Sequence, residues 1–435
     1  MEDLERQRRI WNQFDPKRLP TDSEYVDFGP ARGEEVLDPL LGSLRLADHG
    51  QPIARLFGGT RGSGKTTELK RFERQLEVDG FTAIYIDVDR LIPDLNNCDF
   101  ADFVIAIALG LRERLIERGI SGHTAFNNYL ESKVREIVGF FGQEIKIPGG
   151  KIKGGSERGG AEVEIRFERR VGSRDRLQAE FEALAADAVK AVSELIARTA
   201  ADFVGRSFRG LVLLVDGGDK ILAFGAGNNS ESQHKRIFAN HATQLCGLGC
   251  HVVYSVPLSF CYSPEVQIFN STAGAAPIVL PMTSLRGKKR EPANAHTVGY
   301  KLFCEIIELR LKTIEEQIDS VIDPKATHAL ILASGGSPTA LMTLFQESFV
   351  RNGDALPVRE DSVTSAVRTL ANALNRQIKS EYWTQLRLYR EPNDERGGSQ
   401  EFMDCLYFQY LYEYMNGGSW FEVNPVLKGL RQLSA

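Results

Sequence analysis

The chain has 435 residues, 42 % of them hydrophobic and 26 % charged, with a formal net charge of −5. The length suits two or three domains of an ordinary globular protein, and the negative balance argues against a surface that coats nucleic acid along its whole extent, while leaving room for local basic patches. No apolar run approaches the ~20 residues that span a bilayer, and MEDLERQRRIW lacks the apolar core of a signal peptide, so a cytoplasmic, non-membrane protein is expected.

Residues 1–50 read as an N-terminal arm, in which a turn-rich stretch, Tyr25–Gly33, leads to a helix over 36–47. Ile53–Phe57 is a short apolar run suited to a buried strand. Residues 59–66 then read Gly-Thr-Arg-Gly-Ser-Gly-Lys-Thr, a full match to G-x-x-x-x-G-K-[ST]. Thr67–Leu76 follows, with Leu69, Phe72 and Leu76 spaced along one helical face. Strand, glycine loop and helix in that order is the setting in which this pattern binds phosphate. Backbone N–H groups wrap the anion, and the helix N-terminus adds positive potential. Lys65 would reach the β- and γ-phosphates, and the Thr66 hydroxyl would ligate Mg²⁺. The candidate nucleotide-binding residues are Gly59, Thr60, Arg61, Gly62, Ser63, Gly64, Lys65, Thr66 and Thr67.

Thr82–Val88 is β-branched and aromatic and predicts a second strand; Phe100–Arg118 predicts a helix. Residues 143–170 break the pattern. EIKI and AEVEIRFE alternate apolar and charged residues around Gly149-Gly150, Gly154-Gly155 and Gly159-Gly160, which predicts an inserted hairpin with a flexible tip. Its Lys151, Lys153, Arg158, Arg166, Arg169 and Arg170 fit either a solvated excursion or a contact surface for a partner or nucleic acid. A long helix over about 173–204 returns the chain to the core.

Leu211–Val215 is a continuous apolar run ending in Asp216, the signature of a strand buried on both faces. An acid closing such a strand is placed as the Walker B carboxylate that holds the Mg²⁺ shell, so Thr66 and Asp216 are the candidate metal ligands. Gly217 stands where many hydrolytic relatives carry the glutamate that orients water. Asp219 is the nearest substitute, and it also fits a turn-forming residue in D-G-G-D. Glu231–Leu245 predicts a helix, His251–Val256 a strand and Pro277–Leu280 a short strand. Ser255, near the end of its strand, could hydrogen-bond a γ-phosphate or a water. Lys65, Asp216, Asp219 and Ser255 are therefore the candidate catalytic set.

From 297 the pattern turns helical, over 297–319, 324–334, 338–351 and 360–379. Arg390–Ser399 reads as a loop, and a helix follows near 400–408. YLYEY and SWFEV around MNGG then predict a hairpin, and helices followed by a terminal hairpin suggest a winged helix. The six cysteines are scattered, and only Cys246 and Cys250 lie close, without matching His/Cys spacing; reduced buried thiols are expected rather than a zinc site.

Across residues 25–350, GGTRGSGKTTELKRFERQL, TAIYIDVD, LVLLVDGGDK, HVVYSVPLSF and ASGGSPTALMTLF together resemble P-loop ATPases of the AAA+/STAND group, in the branch related to origin-recognition and loader ATPases. DGGDK, YSVP and the terminal WFEVNPVLKGL look like the ATPase component of bacterial conflict systems. The resemblance implies an α/β P-loop NTPase with a parallel sheet, a helical lid and a C-terminal winged-helix-like domain. On that basis the chain divides into an arm (1–50), an ATPase core (51–290) carrying the 143–170 hairpin, a lid (291–360) and a winged-helix-like domain (361–435). The family's second sensor would be an arginine after a Gly-Gly motif; here Ser334-Gly335-Gly336-Ser337-Pro338 leads to Thr339, which puts lid-driven sensing in doubt. A finger arginine from a neighbouring subunit is also implied, with Arg236, Arg286, Arg290 and Arg310 as candidates.

The leading expectation is an ATP-binding, Mg²⁺-dependent ATPase switch that forms homo-oligomers and controls a separate effector protein, in an anti-phage setting. The competing expectation is a DNA-binding initiator or loader. Arg286-Gly-Lys-Lys-Arg290 favours it, whereas residues 361–435, with nine acidic and eight basic side chains, do not. A small-molecule kinase ranks third.

Overall fold

The computed structural model describes residues 2–33, 36–48, 51–92, 94–95, 98–119, 132, 136, 178–202, 209–221, 232–287, 290–353 and 355–433. The hairpin expected over 143–170 lies outside them.

Among the described residues, β1 (Ala54–Gly59), β2 (Thr82–Asp87), β3 (Leu211–Asp216), β4 (His251–Pro257) and β5 (Ile278–Leu280) form one parallel sheet in the order β2-β3-β4-β1-β5. Period-two alternation sorts its side chains onto two faces. Leu211, Leu213 and Val215 share a cluster with Phe103, Ile107, Val192 and Leu195, from Phe100–Glu117 and Gln178–Asp202. Val212 and Leu214 point the other way, into a cluster with Leu40, Leu44, Leu69 and Phe72, from Asp38–Leu46 and Lys65–Val78. A strand with both faces covered has no polar side, which is why LVLLV runs apolar without interruption. The mixed α/β class expected from the sequence is thus the class observed.

The longer helices are numbered α1 (Glu2–Gln13), α2 (Asp38–Leu46), α3 (Lys65–Val78), α4 (Phe100–Glu117), α5 (Gln178–Asp202), α6 (Val298–Lys312), α7 (Pro324–Ser334), α8 (Pro338–Arg351), α9 (Glu360–Asn375), α10 (Ser380–Leu388) and α11 (Gln400–Tyr407). Helices α6 to α9 enclose a second core around Phe303, Ile307, Leu330, Phe345 and Val363. The arm is split: its first part, as far as Phe28, joins this core, whereas α2 packs on the sheet. Ile10 of α1 and Phe14 just after it are buried there, and Phe14 stacks on Phe345 with ring centroids 3.7 Å apart. Helix α9, at the head of the stretch read as the terminal unit, packs on α7 and α8.

Helices α10 and α11 and the antiparallel pair β6 (Leu411–Tyr414) and β7 (Trp420–Val423) build a third core, with Tyr382, Leu386, Phe402 and Phe421 against Leu258 at the end of β4. Helix α10 carries no sequence signal of its start, because Lys379 occupies its N-cap and makes no capping bond. The expected helix over 231–245 is broken. A π-turn at Lys235–Ala239 precedes a short helix at Ala242–Cys246, with His241 stacked on Phe100 between them at 3.8 Å.

Candidate functional site

The loop between β1 and α3 carries the glycine pattern, and α3 begins at Lys65 itself. Its N-cap is Gly64, which offers no side-chain acceptor, so the first N–H groups of α3 are left for an external anion. The Lys65 side chain folds back over the loop. Its Nζ donates to the carbonyls of Gly59 (2.8 Å) and Thr60 (3.1 Å) and pairs with Asp219 Oδ2 at 3.0 Å. Both members of the pair are buried. Burial alone would raise the Asp219 carboxyl, but the Lys65 charge beside it, with Arg61 and Lys220, holds it below the usual carboxylate range.

Strand order decides the rest of the floor. Because β4 lies between β1 and β3, Phe57 pairs with Ser255, and Tyr254 pairs with Val215, so Ser255 sits beside the end of the Asp216 strand. The Asp216 carboxylate accepts from Thr66 Oγ1 (2.6 Å) and Tyr85 Oη (2.8 Å) on one oxygen and from the Gly217 N–H (2.9 Å) on the other. Burial and the Asp216 charge push the Tyr85 phenol up, which keeps it a donor. Ser255 Oγ accepts from the Gly218 N–H at 3.1 Å and lies 3.5 Å from Asp219 Oδ1. Arg61 donates to the Asp219 carbonyl at 3.1 Å, with its guanidinium over the Tyr407 ring. Asp87, paired with Asp216 across β2 and β3, is raised by burial and by the charges of Asp216 and Asp89, offset in part by Lys220 and by the Asp89 N–H.

A cavity of about 730 Å³ opens above this floor, and Gly62, Gly64, Lys65, Thr66 and Thr67 line it. Two walls were not assigned to the site from sequence. Leu19, Pro20, Tyr25, Val26 and Phe28 of the arm form one, and Ile306, Pro338, Thr339 and Met342 of α6 and α8 form the other. The apolar character of these walls suits a flat ring, and the charged floor suits an anion. Tyr25 and Phe28, aromatic residues in a turn just before the first strand, were the available signal. The start of α8, in the stretch expected as a lid, also touches the loop directly, since Ser337 Oγ donates to the Gly62 carbonyl at 3.1 Å. From below, the buried Arg32 donates to the Ser63 carbonyl (2.5 Å) and to Glu68 (3.2 Å), bracing the loop.

Three of the four arginines considered as fingers are engaged within their own chain. Arg286 grips Glu422 at 3.0 and 2.6 Å, Arg290 pairs with Asp394, and buried Arg310 donates to the Gln13 and Arg18 carbonyls. Among the described residues no group of three or more His, Cys, Asp or Glu is arranged to hold a metal, and no helix is long and apolar enough to cross a membrane.

No family model matches the chain, and no curated protein matches it. Similar solved structures include a Walker-type ATPase of Pyrococcus abyssi, at TM-score 0.46 and 12 % identity over 97 % of this chain and 100 % of that one. Cdc6p from Pyrobaculum aerophilum aligns at TM-score 0.40 and 14 % identity over 97 % of this chain and 96 % of that one. A chain of Drosophila ORC bound to DNA aligns at TM-score 0.39 and 11 % identity over 97 % of this chain and 90 % of that one. At these scores the likeness is one of general arrangement, and the functional reading rests on the geometry of the site itself.

Proposed function

We propose that the chain binds ATP with Mg²⁺ in this cleft and hydrolyses it, acting as a nucleotide-dependent switch. The observation that carries the reading is a single floor on which Lys65 is held against the loop carbonyls and Asp219, while Thr66 and Asp216 meet at 2.6 Å. An incoming phosphate would replace Asp219 as the partner of Lys65, and the loop N–H groups would close on its oxygens. Thr66 Oγ1 and the Asp216 carboxylate are two hard oxygen donors, a set that fits Mg²⁺, which keeps several waters and takes other ligands from substrate phosphates. When bound there the ion would neutralise charge on the transferring phosphoryl group. Ser255 would keep the Gly218 backbone in place beside that group. The arm and lid walls would hold the base and keep bulk solvent out while leaving room for the one water that reacts.

The finer reading is that nucleotide state governs homo-oligomerisation and a separate effector protein, in an anti-phage setting. Its support is the sequence resemblance carried by DGGDK and YSVP. The central test is calorimetry of the full chain with ATP and Mg²⁺. Lys65→Ala is expected to weaken binding at least ~100-fold, about 2.7 kcal/mol. Unchanged affinity in that variant would remove the nucleotide from this loop.

A further inference from the structure

We propose that Asp87, at the end of β2, supplies the water-orienting carboxylate that position 217 lacks. The inference rests on the ATPase reading and assigns a residue to it. Gly217 follows Asp216 directly, with a φ of +92°, a conformation that side chains rarely adopt. A Cβ built there would lie 2.8 Å from the Asp89 nitrogen, 3.0 Å from the Asp89 Cβ and 3.2 Å from Asp87 Oδ1. A glutamate at 217 is therefore excluded on two counts, and the space its side chain would enter is bounded by the Asp87 carboxylate. The strand register makes this possible: Asp87 pairs with Asp216, so β2 delivers a carboxylate alongside the Walker B acid.

The other carboxylates of the cleft are committed. Asp216 accepts from Thr66, Tyr85 and Gly217; Asp219 pairs with Lys65; Glu24 pairs with Arg18; Glu68 pairs with Arg32 and Arg71; Glu113 pairs with Arg90. Just outside it, Asp89 pairs with Lys220 at 2.5 Å. Asp87 has no ion-pair partner at hydrogen-bond distance among the described residues; the Asp89 N–H holds the carboxylate from the backbone, Oδ1 is buried without a partner of its own, and Asp87 lines the same cavity as Lys65 and Thr66. The residue as a whole is half-buried, so a water in the loaded cleft would meet the carboxylate from the cavity side. That water's oxygen would form the new bond to the γ-phosphorus as the bond to the bridging oxygen breaks, the electron pair leaving with ADP. One water proton would stay on the released phosphate and the other would pass by way of Asp87 to solvent. Asp219 is then the resting counter-ion of Lys65.

The test uses the full chain and three readouts: ATP affinity by calorimetry, steady-state turnover, and chromatographic identity of the nucleotide that stays bound after incubation with ATP and Mg²⁺. Asp87→Asn keeps the shape against Gly217. It is expected to bind ATP within about threefold of wild type, to lose turnover by roughly 100-fold or more, and to retain ATP where wild type retains ADP. Asp219→Asn is expected to move ATP affinity, because it releases Lys65. Asp87→Asn turning over at the wild-type rate overturns the assignment, as does Asp87→Asn losing ATP affinity together with turnover. An Asp219→Asn chain that traps ATP while Asp87→Asn clears it transfers the role to Asp219. Should Asp87→Asn melt below the wild-type chain in the absence of ATP, Asp87→Glu repeats the comparison with the charge kept and the oxygen displaced, and the same trapping is expected. A wild-type chain that binds no ATP sinks the ATPase reading itself, which separates that failure from the failure of Asp87.

Discussion

The Lys65 and Asp219 side chains are only 5 % and 7 % exposed and face one another at 3.0 Å. A buried pair of this kind contributes little net stability, but removing one member strands the other as an uncompensated charge. Lys65→Ala is therefore expected to lower stability by about 3 kcal/mol as well as to weaken ATP binding. Adding Asp219→Asn should recover most of the lost stability while leaving ATP binding weak; denaturant titration and calorimetry on the two variants check both halves. A double variant no more stable than Lys65→Ala would mean that the pair is not the source of the loss. Glu24 offers a pH test at the same scale. Burial opposes its ionisation, but two bonds from Arg18 at 2.8 Å and the Thr21 N–H bring its pKa down to about 2. A carboxyl whose pKa is lower in the folded chain than in the unfolded one stabilises the fold above its ordinary pKa and loses that contribution as pH falls through the folded value. Glu24→Gln should thus cost about 2 kcal/mol at pH 7. The gap to wild type should narrow between pH 4.5 and pH 2, followed by melting temperature.

The junction between loop and lid is decided at the level of elements. Ser337 caps α8 by accepting from the Ala340 N–H at 3.1 Å, and the same hydroxyl donates to the Gly62 carbonyl. Gly336 makes that approach possible: its φ is +80°, and a Cβ would collide with the Thr283 carbonyl of the chain leaving β5. Gly336→Ala combines backbone strain with a clash against main chain, and is expected to destabilise by more than about 2 kcal/mol. Because the displaced lid carries Ser337 and Thr339, ATP affinity should fall too, measured by calorimetry at a temperature where the variant remains folded. A variant that binds ATP as tightly as wild type would show that the lid contact does not shape the occupied cleft.

Across the whole molecule, the strands of the terminal hairpin are enclosed and its turn, Gly417 to Ser419, is exposed. Every residue of β6 and β7 is buried, the Met282 N–H donates to the Glu413 carbonyl at 2.8 Å, Tyr414 Oη donates to the Gly335 carbonyl, and Tyr407 sits under Arg61. The strands are wedged in place, the exposed turn residues Gly417, Gly418 and Ser419 carry no positive charge, and residues 361–435 are near charge balance, a poor match to a DNA groove. Binding of the full chain to a labelled duplex is expected to be weaker than micromolar at physiological salt; submicromolar anisotropy with a steep salt slope would promote the initiator-type reading. The same enclosure ties the three cores together, so ATP should raise one shared thermal transition by mass action. Two transitions, of which ATP moves only one, would show that the terminal unit is uncoupled from the cleft.

What was legible in the sequence is what a short stretch of chain encodes alone. The glycine loop and its lysine and threonine, LVLLV ending in Asp216, and the break between α7 and α8 all follow from local rules of turn chemistry, period and capping. Strand order does not follow from such rules. That β4 separates β1 from β3, that β2 sets Asp87 beside Asp216, and that Asp219 faces a lysine far away in the chain are outcomes of packing. The arm's place on the lid core, through Phe14 on Phe345, was equally hidden, because an amphipathic helix does not say which apolar face it will meet. Local propensity could mark the phosphate loop; only the close packing of sheet, arm and lid could decide which distant side chains share its cleft, because burial rewards contact without regard to separation along the chain.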